Sequence, residues 1–153
     1  MRRPAIILLA FLFSAAALSA SAATGKVVKV LPHFLDLQGR HALSPSLYDR
    51  DAYQAQLRKN PEQRSGVRFD ILWRGRSAKP ETVLLRVEVR GTAKGNLPSQ
   101  AILEIPVRIT GTSHWEQLAL VGEKYQAVGE ITAWRVTLVG SEGVIGEQKS
   151  FLW

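Results

Sequence analysis

Residues 67–74, Val67-Arg68-Phe69-Asp70-Ile71-Leu72-Trp73-Arg74, carry an apolar side chain at every odd position, with Arg68, Asp70 and Arg74 between them. Successive side chains of a strand point to opposite faces, so this period of two describes a strand with one face in a core and the other in water. The pattern returns in the next run, where Val83, Leu85, Val87 and Val89 alternate with Thr82, Arg86, Glu88 and Arg90. It returns again over 101–110, with Leu103, Ile105, Val107 and Ile109 on one side. Pro106 interrupts that third run; it has no N–H to give a ladder, which predicts an edge strand or a bulge. Between the second and third runs, residues 91–98 are rich in Gly and Pro and predict a loop. Trp115 to Val121 is a shorter run, followed by a less regular segment through Gly129. Residues 131–139 put Trp134, Val136 and Leu138 on one face, Gly140-Ser141-Glu142-Gly143 tolerates positive φ, and Val144 to Leu152 returns as the outer arm of a hairpin. With Val27 to Leu31 these make seven strands, an all-β domain of two packed antiparallel sheets. Its predicted core contains Phe69, Ile71, Trp73, Leu85, Val87, Ile105, Val107, Trp134 and Val136.

The chain opens Met1-Arg2-Arg3-Pro4, continues with an apolar run from Ala5 to Leu18, and then shows Ser19-Ala20-Ser21-Ala22-Ala23. A charged start, an apolar middle and a small-residue end form the layout of a secretory signal peptide. The run of about 14 apolar residues is shorter than the roughly 20 of a spanning helix, which predicts removal of the segment. Ala20 and Ala22 place cleavage after Ala22, with Ala23 as the alternative. Residues 1–22 are thus expected to be a signal peptide and 23–153 a single domain, periplasmic or extracellular, with no transmembrane segment in the mature chain. No cysteine follows the apolar run, so lipid attachment there is excluded.

The whole chain has no cysteine. That removes thiol catalysis, thiolate metal ligation and redox chemistry, and it leaves the core to hold by packing alone. Removing Arg2 and Arg3 takes the 20 basic residues to 18 against 13 acidic, a net charge of +5. The charges are interspersed and form no run, so they predict an ordinary solvated surface, and export argues against a nucleic-acid partner.

One helical segment interrupts the strands, an insertion over about 44–60 that follows the first strand. Ser46 is an N-cap with an acid three residues on, and Asn60-Pro61 ends the helix because the residue before a proline is pushed out of helical backbone. Tyr48, Ala52 and Ala55 lie along one stripe, while Tyr53 and Leu57 lie along another. Two separate apolar stripes allow a helix to touch two things, which predicts a partner contact by the second.

The alternating strands ending in Trp134-Arg135-Val136-Thr137-Leu138 and the closing Ser150-Phe151-Leu152-Trp153 resemble an immunoglobulin-like or fibronectin-III-like sandwich of the exported bacterial kind. The stretches Leu31–Asp36, Gly39–His41, Ser44–Tyr48 and Arg50–Gln54 are similar to small exported proteins of unassigned role. The resemblance implies a two-sheet antiparallel sandwich with one short helix inserted after the first strand, and it implies no catalytic residues.

Residue chemistry narrows the function further. His33, Asp36 and His41 fall within nine residues, and a turn at Gly39-Arg40 brings two imidazoles toward a carboxylate, a set suited to a transition metal, although the spacing follows no ligand motif. There is no Gly-x-Ser-x-Gly, and Ser44 and Ser46 are turn and cap residues. Asp49 and Asp51 point in different directions on the helix, and the glycines form no phosphate loop. Arg68, Arg74, Arg86 and Arg90 on two successive strands, with Asp70 and Glu88 interleaved, predict cross-strand ion pairs or, alternatively, an anion-recognition face, and Tyr48, Tyr53 and Trp115 offer stacking platforms. These features predict a non-enzymatic, exported binding or structural module of the cell envelope, without cofactor or metal. Its partner is an envelope protein or a glycan, met through the 33–58 insertion by Arg50, Tyr53, Leu57 and Arg58. The alternatives are a carbohydrate-binding module and a hydrolase using His33 or His41.

Overall fold

A three-stranded and a four-stranded antiparallel sheet face each other in the computed structural model, which describes residues 22–153. The expected signal peptide lies outside the described residues except for Ala22. In chain order the strands are β1 (Thr24–Asp36), β2 (Arg64–Arg76), β3 (Thr82–Ala93), β4 (Leu97–Arg108), β5 (Ser113–Val121), β6 (Glu130–Gly140) and β7 (Gly143–Lys149). The smaller sheet has the order β1-β2-β5 and the larger β4-β3-β6-β7. Among the described residues no helix is long and apolar enough to cross a membrane.

The period of two holds in space. Phe69, Ile71 and Trp73 of β2 pack against Leu85, Val87 and Val89 of β3 and Val136 and Leu138 of β6, each of them almost without exposed surface. Pro106 sits in β4, an outer strand, where a missing N–H costs no ladder bond. Ile105, on the same strand, is only half buried because among the described residues no strand flanks β4 on its far side. Trp134 is also half buried, edge-on to Phe69 at 6.4 Å between ring centres.

Four boundaries differ from the sequence reading. β1 runs on past Leu31 to Asp36; Pro32 does not stop it, since β1 too is an outer strand. His33 and Asp36 therefore belong to the sheet and not to the insertion. The stretch 91–98 is mostly strand, with Thr92 opposite Pro98 and only Lys94–Asn96 making the turn. β7 ends at Lys149, and Ser150 to Trp153 form a turn instead of completing the strand. The less regular segment before Gly129 is a second helix, α2 (Gly122–Val128), whose Tyr125 and Val128 are buried. A seven-residue helix with two apolar contacts shows little periodicity in sequence. Gly91 and Gly129 let it press on β3, because a Cβ at either would collide with backbone or with Val128.

The inserted helix α1 spans Leu47–Lys59. Ser46 Oγ accepts from the Asp49 amide at 3.4 Å, Asp49 places negative charge in the first turn, and Arg58 and Lys59 place positive charge in the last.

Candidate functional site

The insertion is fastened to β1 by two side chains. Gln54 acts like a missing neighbouring strand: its Oε1 accepts from the Phe34 amide at 2.8 Å, and its Nε2 donates to the Phe34 carbonyl at 2.9 Å and to the His41 carbonyl at 2.8 Å. This covers the open edge of an outer strand. Asp36, buried at the strand end, accepts from the amides of Gln38 and Arg40, from Arg40 Nε at 2.9 Å and from the Tyr53 hydroxyl at 2.7 Å. Burial alone would raise its pKa, but these donors outweigh it and hold the carboxyl at about 2. The bond to Asp36, reinforced by burial, in turn raises the Tyr53 hydroxyl.

These contacts reverse the roles of the two helix stripes. Leu57 has no exposed surface and Tyr53 is half buried on Asp36, so that stripe holds the helix to the sheet. Leu57 has nothing to offer a partner. Of the other stripe, Tyr48, 83 % exposed, and Ala52 are in solvent, and Ala55 is half buried. Arg64, which the sequence pattern did not single out, closes the other end of the helix. It is 5 % exposed, donates Nε to the Leu57 carbonyl at 2.5 Å and Nη2 to the Arg58 carbonyl, faces Glu130 at 3.3 Å, and lies over the Phe34 ring at 4.1 Å.

His33 and His41 do come together, with ring centres 5.2 Å apart, but not beside Asp36. Their acidic neighbour is Asp70, whose Oδ2 stands 3.6 Å from His33 Nε2 and is itself held by Arg68 at 2.9 Å. Arg50 and Arg68 bring positive charge to both rings, and burial is the main reason that both imidazoles are pushed below their ordinary value. Asp36 spends its oxygens on Arg40 and Tyr53, and among the described residues no group of three or more potential ligands is arranged to hold a metal ion. The nearby serines are committed as well, Ser44 Oγ donating to Asp49 at 2.7 Å and Ser46 capping the helix. The cluster holds the rings as packed, neutral groups between strand and insertion.

The four outward arginines do not share a face. Arg68 and Arg74 stand on the outer surface of the small sheet, Arg86 and Arg90 on that of the large one, because β2 and β3 belong to different sheets. Arg86 pairs with Glu104 at 2.5 Å across β3 and β4, and Arg90 lies on the Trp153 ring at 3.8 Å. Trp115 is 52 % exposed on β5.

An apolar cleft lies at one corner of the sandwich, beside the end of β7. β7 pairs with β6 only as far as Arg135, and Ser150 then closes on Trp134 through its amide and hydroxyl at 2.9 and 3.0 Å. Beyond that point no described strand pairs with Ile131, Thr132 and Ala133 on the β7 side. Opposite them stands β1 with Pro32 and Phe34. The cleft between, about 240 Å³, is walled by the half-buried Phe34, Ile131 and Trp134 above the buried Val67 and Phe69, and also touches Gln54 and Arg58. Of the residues expected to meet a partner, Arg58 alone borders this cleft; Arg50 lies with the histidines. Local sequence carries no signal for such a feature, since it comes from where β7 stops. No protein family matches the chain, and neither a curated protein nor a solved structure matches it.

Proposed function

We propose that the domain is an exported, non-enzymatic binding module, a fibronectin-III-like sandwich that receives an extended segment of an envelope protein along the unpaired part of β6. One observation carries the reading: three consecutive residues of β6 lack a strand on one side where an apolar cleft lies open. An added strand would continue the line of β7 from Ser150, pair its backbone with β6, and lower one apolar side chain against the half-buried Phe34, Ile131 and Trp134. Backbone pairing gives such recognition its affinity, and the pocket gives it selectivity. Arg58 at the border favours an acidic residue beside that anchor. The strand order β1-β2-β5 against β4-β3-β6-β7 supports the fibronectin-III-like assignment, and the layout of residues 1–22 supports export.

A random peptide library displayed against residues 23–153 tests the reading. Selected peptides should alternate apolar and polar residues, bind wild type, and lose binding at least tenfold to Ile131→Arg. Failure to enrich any sequence, or peptides indifferent to Ile131→Arg, overturns it. A second surface has its own support: Leu43, Leu47 and Tyr48 are 60, 66 and 83 % exposed at the start of α1. Contact by the insertion itself would use these residues, and peptides sensitive to Tyr48→Ser instead of Ile131→Arg would move the site there.

A further inference from the structure

The outer face of the β1-β2-β5 sheet is divided in two. The insertion lies over the half that holds His33, Leu35 and Arg68, while the other half is uncovered. Residues directly opposite one another in an antiparallel sheet share a face, so the register places Lys26, Arg74 and Ser113 in one row and Lys29, Leu72 and Trp115 in the next. These rows lie about 7 Å apart along the strands. Leu31, Asp70 and Gln117 form the row at the border of the covered half.

Three features set the open half apart from the rest of the surface. Lys26 and Arg74 are like charges directly opposite, a destabilising cross-strand pair. Lys26, Lys29 and Arg74 are all exposed, and among the described residues none has an acidic partner, whereas Arg86 and Arg135 on the other sheet are matched by Glu104 and Glu88. The one carboxylate in the three rows, Asp70, is already paired with Arg68, whose Nη2 donates to Oδ2 at 2.9 Å and whose Nε lies 2.8 Å from Oδ1. At the outer end of the second row, on β5, stands the Trp115 indole, half in solvent.

We propose that this half-face binds a carboxylated polysaccharide. Its chemistry fits that ligand part by part. The indole offers a flat apolar surface for the C–H face of a sugar ring; Ser113 and Gln117 flank it with groups that pair with hydroxyls; the Arg74 fork and the two lysines meet carboxylates. Anionic lipid would be met better by a protruding apolar loop than by a flat sheet with one ring in it. The site is separate from the β6 cleft and does not depend on that reading.

Titration of the exported form, residues 23–153, with alginate and with polygalacturonate tests the proposal, using fully methyl-esterified polygalacturonate, duplex DNA and phosphatidylglycerol vesicles as comparisons. Binding to at least one carboxylated polymer is expected, weakening with salt, lost on esterification, and reduced at least tenfold by Trp115→Ala and by Arg74→Glu. Both substitutions fall on exposed positions, and circular dichroism with a melting curve confirms that each variant is folded; Lys29→Glu replaces either one that is not. Binding to neither polymer overturns the proposal. So does binding that Trp115→Ala leaves unchanged, or equal binding to DNA or vesicles, since each describes charge without sugar recognition.

Discussion

Strand β6 lies in two different surroundings. From Arg135 to Gly140 it has β3 on one side and β7 on the other, and Val136 and Leu138 are completely buried. From Ile131 to Ala133 it has β3 alone, and Pro32 and Phe34 of β1 across from it border an open cleft. The apolar core therefore extends further along the sandwich than β7 does. The closed end is held by packing. The open end is held by polar fasteners: Gln54 on the β1 edge, Asp36 under Tyr53, and Arg64 tying α1 to β6.

The largest expected effect breaks the comparison if the two ends prove alike. Leu138→Ala at the closed end should cost about 2–5 kcal/mol in urea denaturation, whereas Ile131→Ala at the open end should cost less than about 1.5 kcal/mol because that side chain is already half in water. Equal losses would mean that the lower cleft is closed in solution. Gln54→Leu comes next. It keeps the bulk but leaves the Phe34 amide and carbonyl without partners, at a cost of about 1–3 kcal/mol, and the Phe34 amide should lose its protection against hydrogen exchange before those of β3 and β6. Unchanged exchange would remove Gln54 as the cover of that edge.

Acid should weaken the open end in two separate windows. The His33 and His41 rings have folded-state pKa values below the ordinary 6.5, so the unfolded chain takes up protons first and stability present above pH 6.5 falls as pH drops below it. Asp36, at about 2 against an ordinary 3.8, adds a second loss as pH falls from about 4 toward 2. Urea denaturation of a His33→Asn, His41→Asn double variant should be flat across the first window and unchanged across the second. The smallest effect belongs to Arg86→Ala: its pair with Glu104 is partly solvated, and the loss should stay under about 1 kcal/mol.

The inward faces were legible because they rest on neighbours two residues apart. Phe69, Ile71 and Trp73 declare their face within one strand, and Pro106 declares an outer strand by lacking a donor. The helix was legible as a helix for the same local reason, in Ser46 and Asn60-Pro61. Its orientation was not. Tyr53 and Leu57 look as apolar as Tyr48 and Ala55, and what chose between the stripes was Asp36 and Phe34, some 17 to 20 residues earlier in the chain. The arginines misled for a related reason: Arg74 and Arg86 belong to successive strands, but the connection between them crosses from one sheet to the other.

Read alone, the chain settles seven strands, their buried sides and one capped helix, because alternation, caps and turn residues act over a few positions and need no knowledge of what lies opposite. Which surfaces remain free is decided only by the packed sandwich. The cleft exists because β7 stops short of the end of β6, and the two rows that hold Lys26 with Arg74 and Lys29 with Trp115 exist because three strands distant in sequence are brought into one register. Both are properties of pairing, and pairing is set by the summed burial of the whole core and not by any segment within it.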